Sequence, residues 1–201
     1  ELSGDTSVSG GAGEDTIVFT SAATDIDDAD FSSVSDVEAI TLADGTNTVV
    51  LGANASGSGI DSITGGTGAD DITGSSAAET IAGGDSGDTI TGGAGSDTLT
   101  GGSGDDTFQF ASGAELSGDT SVSGGAGEDT IVFTSAATDI NDADFSGVSD
   151  FEAITLADGT NTVVLGANAS GSGVDSITGG TGADDITGSA ASETITGGAG
   201  A

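Results

Sequence analysis

The chain has 201 residues, of which 38 are glycine and 34 are Asp or Glu, and its formal net charge is −34 because it contains no Lys, Arg or His. The absence of His, Cys, Lys, Arg and Tyr excludes Ser-His-Asp and Cys-His nucleophiles and zinc sites of the His/Cys type, and we expect no enzyme activity. A surface of this charge repels nucleic acid, and so many carboxylates in a compact fold need either dispersal or a bound cation.

Two copies of a long repeat divide the chain. The sequence of residues 1–6 returns at residues 115–120, which defines a first complete repeat over 1–114 and a second, truncated repeat over 115–201. Over residues 1–84 and their counterparts, the copies differ at Asp27/Asn141, Ser33/Gly147, Val37/Phe151, Ile60/Val174, Ser76/Ala190, Ala78/Ser192 and Ala82/Thr196. Such near-identity predicts that these residues are a segment of a longer tandem array.

Each copy opens with a nine-residue motif of the form Gly-Gly-x-Gly-x-Asp-x-apolar-x. It occupies residues 10–18 and returns at residues 124–132. The glycines permit positive φ angles and expose carbonyls in a tight loop. Positions seven to nine of the motif predict a short strand whose single apolar side chain points inward.

The segment that follows, up to residue 55, lacks the motif. It predicts strands at Ala39–Leu42 and Thr48–Leu51, with Asp44-Gly45 marking the turn between them. We expect Phe31 and Val34 to fill the interior. An acidic cluster also lies here, formed by Asp25, Asp27, Asp28 and Asp30. It is either a further metal site or, as we favour, a solvated loop, because Asp27 becomes Asn141 in the second copy.

Six consecutive nonapeptides fill residues 56–109. Three keep the pattern closely, at 65–73, 92–100 and 101–109, and three keep it loosely, at 56–64, 74–82 and 83–91. Six units in register are a much more specific signal than a single Gly-x-Gly-x-x-Gly.

This pattern resembles the repeats-in-toxin (RTX), or hemolysin-type, calcium-binding family. The resemblance covers the tracts 10–18 and 56–109 well and residues 19–55 only loosely. It implies an all-β fold, a parallel β-roll or β-solenoid, that binds Ca²⁺. It also implies a protein that is exported unfolded by type I secretion.

The spacing supports the same architecture on physical grounds. Two nonapeptides make one coil with strands on opposite sheets, so stacked coils bury a ladder of Ile, Leu, Val and Phe. One edge then stacks Asp61, Glu79 and Asp97, and the other stacks Asp70, Asp88 and Asp106. Because Ca²⁺ prefers carboxylate and carbonyl oxygens, each gap between stacked turns is a candidate calcium site.

The candidate calcium ligands are therefore carboxylates and loop carbonyls. The carboxylates are those of Asp15, Asp61, Asp70, Asp88, Asp97, Asp106, Asp129, Asp175 and Asp184. The carbonyls belong to the loops around Gly10, Gly11, Gly13, Gly65, Gly66, Gly68, Gly83, Gly84, Gly92, Gly93, Gly95, Gly101, Gly102 and Gly104. The alternative interpretation is that these carboxylates form only a solvated acidic face.

The two edges are not equivalent. The turn at residues 74–79 lacks the loop glycines after its first position, and Glu79 is a methylene longer than Asp. We therefore expect the edge that carries Glu79 to bind calcium poorly or not at all. The opposite edge is the better candidate, although Ser86 replaces a glycine in its middle turn.

The length of the repeat predicts its number of coils. The first coil, two looser coils and three regular coils account for all but five of the 114 residues. We therefore expect six coils per repeat, with an advance of about 29 Å at about 4.8 Å per coil.

We expect a structural protein on the surface or outside of a bacterium, such as an adhesin stalk, a surface layer or a filament, that folds on Ca²⁺ after export. The alternatives are the secretion appendage of a larger toxin or enzyme and, less favoured, an ice- or crystal-binding face of outward threonines. Expected partners are calcium ions and copies of the same chain. No apolar run approaches the roughly 18 residues of a membrane span.

Overall fold

The strands of the molecule are short and pair only in parallel. The computed structural model describes residues 7–21, 25–136 and 139–200, and every strand pair within them is parallel. Two large sheets take alternate strands along the chain, so the backbone winds into a solenoid. The predicted all-β parallel roll is confirmed.

The strands fall into four sheets. The nine-stranded sheet contains β3 (Asp25–Asp27), β6 (Thr48–Val50), β8 (Asp71–Thr73), β10 (Thr89–Thr91), β12 (Thr107–Phe110), β14 (Thr130–Phe133), β17 (Ala153–Thr155), β19 (Ser176–Thr178) and β21 (Thr194–Thr196). The seven-stranded sheet contains β2 (Thr16–Val18), β5 (Ala39–Thr41), β7 (Ser62–Thr64), β9 (Thr80–Asp85), β11 (Thr98–Ser103), β13 (Ser121–Ala126) and β16 (Val148–Ser149). Two small sheets pair β1 (Val8–Ser9) with β4 (Val34–Ser35), and β15 (Asp139–Asn141) with β18 (Thr162–Val164) and β20 (Asp185–Thr187).

Short helices interrupt the strands of the described residues at five places. The α-helices are α1 (Ala53–Ser58), α2 (Gly113–Leu116) and α3 (Ala167–Gly171), and the 3-10 helices span Asp28–Phe31 and Asp142–Phe145. The nonapeptide pattern predicts none of them. Among the described residues, no helix combines the length and apolarity that a membrane span requires.

Strand register shows where these helices enter the solenoid. Within the regular tract, Ile63 pairs with Ile81 and Ile81 with Leu99, so each coil takes 18 residues. Ile40 pairs with Ile63, a spacing of 23 residues, because residues 51–55 are inserted and lead into the first turn of α1. The solenoid therefore keeps its nine-residue period, and the five inserted residues lie between two frames, where a short helix forms.

The repeat contains five and a half coils, so the prediction of six is wrong. Along the seven-stranded sheet, five successive coils lead from Thr16 to Ser121, and Thr130, the counterpart of Thr16, follows half a coil later. Thr130 accordingly lies in the nine-stranded sheet, next to Thr107. Equivalent surfaces of consecutive repeats thus face opposite sides of the solenoid.

The core is a ladder of single apolar side chains between the sheets. Ile72, Ile90 and Phe108 are aligned in register on one sheet and fully buried. Phe31 and Val34 are also buried, which confirms their predicted place in the interior. Stacking neighbours bury this ladder together, since no coil presents enough apolar surface to form a core alone.

Aromatic packing explains one difference between the copies. Phe151 replaces Val37, and its ring meets Phe108 edge to face at a centroid distance of 5.0 Å and an interplanar angle of 80°. The larger side chain therefore fills the interior where the second repeat stacks on the regular coils of the first.

Candidate metal centre

A ladder of buried aspartates runs along one edge of the solenoid. The backbone N–H of Asp70 donates to Asp88 Oδ1 at 2.8 Å, that of Asp88 to Asp106 Oδ1 at 2.7 Å, and that of Asp106 to Asp129 Oδ1 at 2.8 Å. All four residues are at most 3% exposed. The predicted stacking of Asp70, Asp88 and Asp106 is therefore observed, and Asp129 continues it into the second repeat.

The second oxygen of three of these four carboxylates has no hydrogen-bond partner, whereas Asp70 Oδ2 accepts from the Gly66 N–H at 3.2 Å. Asp88 Oδ2, Asp106 Oδ2 and Asp129 Oδ2 are buried and receive no donor. The chain contains no Lys, Arg or His that could neutralise them. Buried charges in proteins are normally paired or bound to a metal, so these orphan oxygens require a partner from outside the chain.

The orphan oxygens lie in cradles formed by the first glycine of each motif. A Cβ on Gly83 would overlap Asp88 Oδ2 and would come 2.8 Å from the carbonyl oxygen of Gly101, one coil further on. A Cβ on Gly101 would likewise overlap Asp106 Oδ2. The space that a side chain would fill is thus bordered by a carboxylate of one coil and a carbonyl of the next.

This donor set fits Ca²⁺. The oxygens are hard, and they come from a carboxylate and from backbone carbonyls, as calcium prefers. Within residues 7–21, 25–136 and 139–200, no three acidic side chains form a cluster that could hold a metal by themselves. Carbonyl oxygens would therefore supply much of the coordination, as the glycine-rich loops predict.

Burial and mutual repulsion raise the pKa values along the ladder. Burial raises the pKa of Asp88 to about 7, and the Asp106 and Asp70 carboxylates add to the effect. Burial also raises the pKa of Asp106 to about 6, with Asp129 contributing repulsion. The pKa values of Glu79, Asp97 and Asp129 are raised as well, chiefly by burial. The folded ladder is therefore costly to ionise unless a cation is bound.

The opposite edge carries a shorter ladder with a different turn. The Glu79 N–H donates to Asp97 Oδ1 at 2.8 Å, and the Asp97 N–H donates to Asp119 Oδ1 at 3.0 Å. Ser75 Oγ donates to Glu79 Oε1, which occupies one of the two carboxylate oxygens. Glu79 Oε2 and Asp97 Oδ2 are nevertheless buried without a hydrogen-bond partner, as on the longer edge, so the expectation that this edge binds calcium poorly or not at all stays a prediction.

Asp119 is a ladder residue that the motif analysis missed. It stands at position five of a frame, ELSGDTSVS, that has no glycine pair. Burial raises its pKa to about 7, and the neighbouring Asp97 and Glu115 carboxylates reinforce the shift. The only signal of this role in the sequence is an aspartate at position five, one position before the position six at which the motif carries its aspartate.

Asp15 joins a ladder through residues outside the motif. Its N–H donates to Glu38 Oε2 at 2.8 Å, and its Oδ2 is buried without a partner. A Cβ on Gly10 would lie 2.6 Å from that oxygen and would overlap the Asp36 carbonyl oxygen. Asp36 has a φ of 54°, so an aspartate here adopts a conformation that loop glycines usually take. The second copy repeats the arrangement, since the Asp129 N–H donates to Glu152 Oε2 at 2.7 Å.

Asp61 and Asp175 differ from the other predicted ligands because both are exposed. Their frames begin inside α1 and α3, so helical turns replace the glycine loop that buries the other aspartates. Asp184 does lie in a ladder: its Oδ1 accepts from the Asn161 N–H at 3.0 Å, and its Oδ2 is buried without a partner.

The acidic cluster before α1 has local structural roles. Asp27 caps the first 3-10 helix by accepting from the Ala29 N–H at 2.8 Å. Asp28 Oδ1 accepts from the N–H groups of Asn54 and Ala55, each at 3.0 Å, at the start of α1. The exchange of Asp27 for Asn141 keeps the cap, because both residue types are good N-terminal caps.

Comparison with known families agrees with this geometry. A profile described as the RTX calcium-binding nonapeptide repeat (4 copies) matches residues 2–18, 56–85, 73–108, 116–132 and 170–201. These segments cover more than half of the chain and include every buried aspartate of the longer ladder. No curated protein and no solved structure matches the chain.

Proposed function

Because the chain belongs to the RTX calcium-binding nonapeptide-repeat family, we propose that it is a structural extracellular protein whose solenoid folds on Ca²⁺ after secretion and builds a stalk, surface layer or filament. Membership makes it a calcium-binding repeat protein of a kind typical of secreted bacterial proteins. The structural role and the folding switch are the proposal.

The observation that carries the proposal is the row of buried, unpartnered carboxylate oxygens in a chain without cationic side chains. Such a row destabilises the folded chain on its own, through desolvation and through repulsion between successive coils. Asp70, Asp88, Asp106 and Asp129 would hold calcium together with the loop carbonyls. Bound calcium would supply the positive charge that neutralises these groups and joins successive coils.

Calcium dependence fits export because binding free energy becomes folding free energy. With 34 acidic side chains and no cationic side chain, the free chain repels itself and is kept expanded at the low calcium concentration of a cytosol. At the higher calcium concentration outside the cell, the same carboxylates gain their partner. Folding is thereby delayed until after secretion.

The repeat organisation supports a structural role. Near-identical copies extend the solenoid without adding a new chemical group, and each coil contacts mainly its neighbours. The half-integer number of coils places equivalent surfaces on opposite sides in consecutive repeats. An array of such repeats presents the same surface on both sides, which suits lateral association into a layer.

Far-UV circular dichroism of the 201-residue chain during a titration from chelator to about 10 mM Ca²⁺, with light scattering recorded on the same sample, tests the proposal. We expect a coil-to-β transition, with rising scattering if the coils assemble into a layer or filament. The transition without scattering would favour a monomeric stalk or the secretion appendage of a larger toxin or enzyme. A chain that is folded in excess chelator would contradict the calcium switch.

A further inference from the structure

The segment 42–50 is a nonapeptide frame that lacks the usual glycine pair. Its strand β6 pairs in register with β8 of the regular tract, so Thr48 aligns with Asp71 and Val49 with Ile72. Asn47 therefore occupies position six, where the regular frames carry a ladder aspartate. Its backbone N–H donates to Asp70 Oδ1 at 2.8 Å, as each ladder residue does to the next coil.

The side-chain amide of Asn47 is directed at three oxygens. Nδ2 lies 2.9 Å from the Ala43 carbonyl oxygen, 2.8 Å from the Gly45 carbonyl oxygen and 2.8 Å from Asp70 Oδ1. The residue is 1% exposed, so these contacts are made away from water. A reversed amide would put an oxygen against three oxygens, which fixes the orientation of the group.

The second copy repeats this geometry. Asn161 Nδ2 lies 2.9 Å from the Ala157 carbonyl oxygen, 3.4 Å from the Gly159 carbonyl oxygen and 2.7 Å from Asp184 Oδ1. Asn161 is fully buried. In both copies the amide oxygen Oδ1 has no hydrogen-bond partner, so the nitrogen end is the one that the site satisfies.

The three oxygens around the amide form the kind of set that calcium takes. Two are loop carbonyls, from positions two and four of the frame, and the third is a carboxylate from the next coil. An aspartate at position six would add further negative charge to these oxygens and would require a cation between them. An amide needs none, because its two N–H groups carry the positive end of a dipole.

We propose that Asn47 and Asn161 determine which coils take no calcium: the amide nitrogen stands where the regular coils require an ion. The inference rests on the proposed calcium-dependent folding, since it assumes ions in the regular coils. It assigns to each repeat one coil that closes without metal, placed directly before the aspartate ladder at Asp70 and at Asp184. Where the backbone places position six in the ladder, the residue type there thus sets calcium occupancy.

The test substitutes Asn47→Asp and Asn161→Asp and measures bound Ca²⁺ by equilibrium dialysis at saturating Ca²⁺, with circular dichroism to follow folding. We expect one additional bound ion for each substitution and a higher Ca²⁺ midpoint for folding. Asn141→Asp is the matched control: it adds the same charge at an exposed cap where the first copy already has Asp27. Its stoichiometry should equal that of the unaltered chain.

The reverse substitution, Asp88→Asn, tests the same rule in a regular coil. We expect this variant to bind less Ca²⁺ and to stay folded at saturating Ca²⁺. The inference would be overturned if Asn47→Asp bound the same number of Ca²⁺ ions as the unaltered chain. It would also be overturned if either variant stayed unfolded at every Ca²⁺ concentration. Failure of the proposed function would look different, because the unaltered chain itself would then bind no calcium.

Discussion

The regular tract, residues 56–109, and the looser segment, residues 19–55, build the same coil by different means. In the regular tract, aspartates such as Asp88 and Asp106 keep one buried oxygen without a donor. In the looser segment, Asp27 and Asp28 receive backbone N–H groups at helix starts, and Asn47 brings its own donors. The carboxylates at helix starts are thus satisfied by backbone N–H groups, whereas each ladder aspartate accepts one N–H from the neighbouring coil and keeps a second oxygen for which we propose calcium as the partner.

The contrast divides the stability of the solenoid into two parts. Coils closed by N–H donors should be stable independently of the ion, whereas coils with orphan oxygens should gain stability only as calcium binds. Substitutions in the regular tract should therefore change the response to calcium. Substitutions in the looser segment should change stability at every calcium concentration.

Asp88→Ala should produce the largest effect. It removes a ladder carboxylate and leaves the buried Asp70 N–H without an acceptor, which alone costs about 1–3 kcal/mol. The Ca²⁺ midpoint for folding should rise, as measured by circular dichroism. Asp71→Ala removes the same charge from an exposed strand position and is the control. Equal shifts in the two variants would contradict the ligand role of Asp88.

The pH response without calcium should be the next largest effect. The pKa of Asp88 is raised to about 7 and that of Asp106 to about 6, so the folded state holds protons that the unfolded state loses near pH 4. This contribution to stability is complete below about pH 4 and is lost as the pH rises to about 7. In calcium-depleted buffer, the chain should show more β-structure at pH 5 than at pH 8.

Calcium should remove most of this pH response at neutral pH, because ligands must be deprotonated to bind. The affinity of the folded chain for Ca²⁺, measured by equilibrium dialysis, should accordingly fall as the pH is lowered from 7.5 to 5.5, because protons and calcium compete for the same carboxylates. A calcium-depleted chain with the same circular dichroism spectrum at pH 5 and pH 8 would show that ladder protonation does not stabilise the fold.

The ladder could be predicted from the sequence because the nine-residue period places the sixth residue of each motif on an edge of the solenoid. The sequence did not allow prediction of Glu38, Asn47 or Asp119 as ladder residues, since their loops lack the glycine pair that defines the motif. The coil needs only an apolar residue at position eight and a backbone able to turn, so the fold extends beyond the motif. Conversely, Asp61 fits the motif but is exposed, because α1 replaces its loop.

The half coil also escaped prediction, for a physical reason. Five-residue insertions such as 51–55 have no periodic signature, and a helix of one or two turns depends on tertiary contacts more than on its own propensity. Only the strand register shows that they lie between frames and leave the nine-residue period unchanged. The number of coils therefore could not be obtained by dividing the repeat into 18-residue units.

Asp28→Ala should have a smaller effect that calcium does not change. Losing the carboxylate that accepts from the Asn54 and Ala55 N–H groups should cost about 1 kcal/mol of stability. Urea unfolding at saturating Ca²⁺ measures the loss, and bound Ca²⁺ should equal that of the unaltered chain. Asp25→Ala, at an exposed strand position, is the control. A decrease in bound calcium would identify Asp28 as a ligand.

Ser86→Gly should produce a small gain that sharpens the comparison. Ser86 occupies position four of its frame with a φ of 78°, whereas Gly104 occupies the same position of a neighbouring frame with a φ of 123°. A left-handed conformation costs a non-glycine residue about 1–2 kcal/mol. Part of that cost is offset by the greater freedom of glycine in the unfolded chain and by the loss of the hydrogen bond from Ser86 Oγ to the Thr67 carbonyl oxygen. The net gain should be about 0.5 kcal/mol, seen as a lower Ca²⁺ midpoint. Ser96→Gly, at an exposed position without positive φ, should instead raise the midpoint slightly, and a gain in both variants would show that loop strain is not the cause.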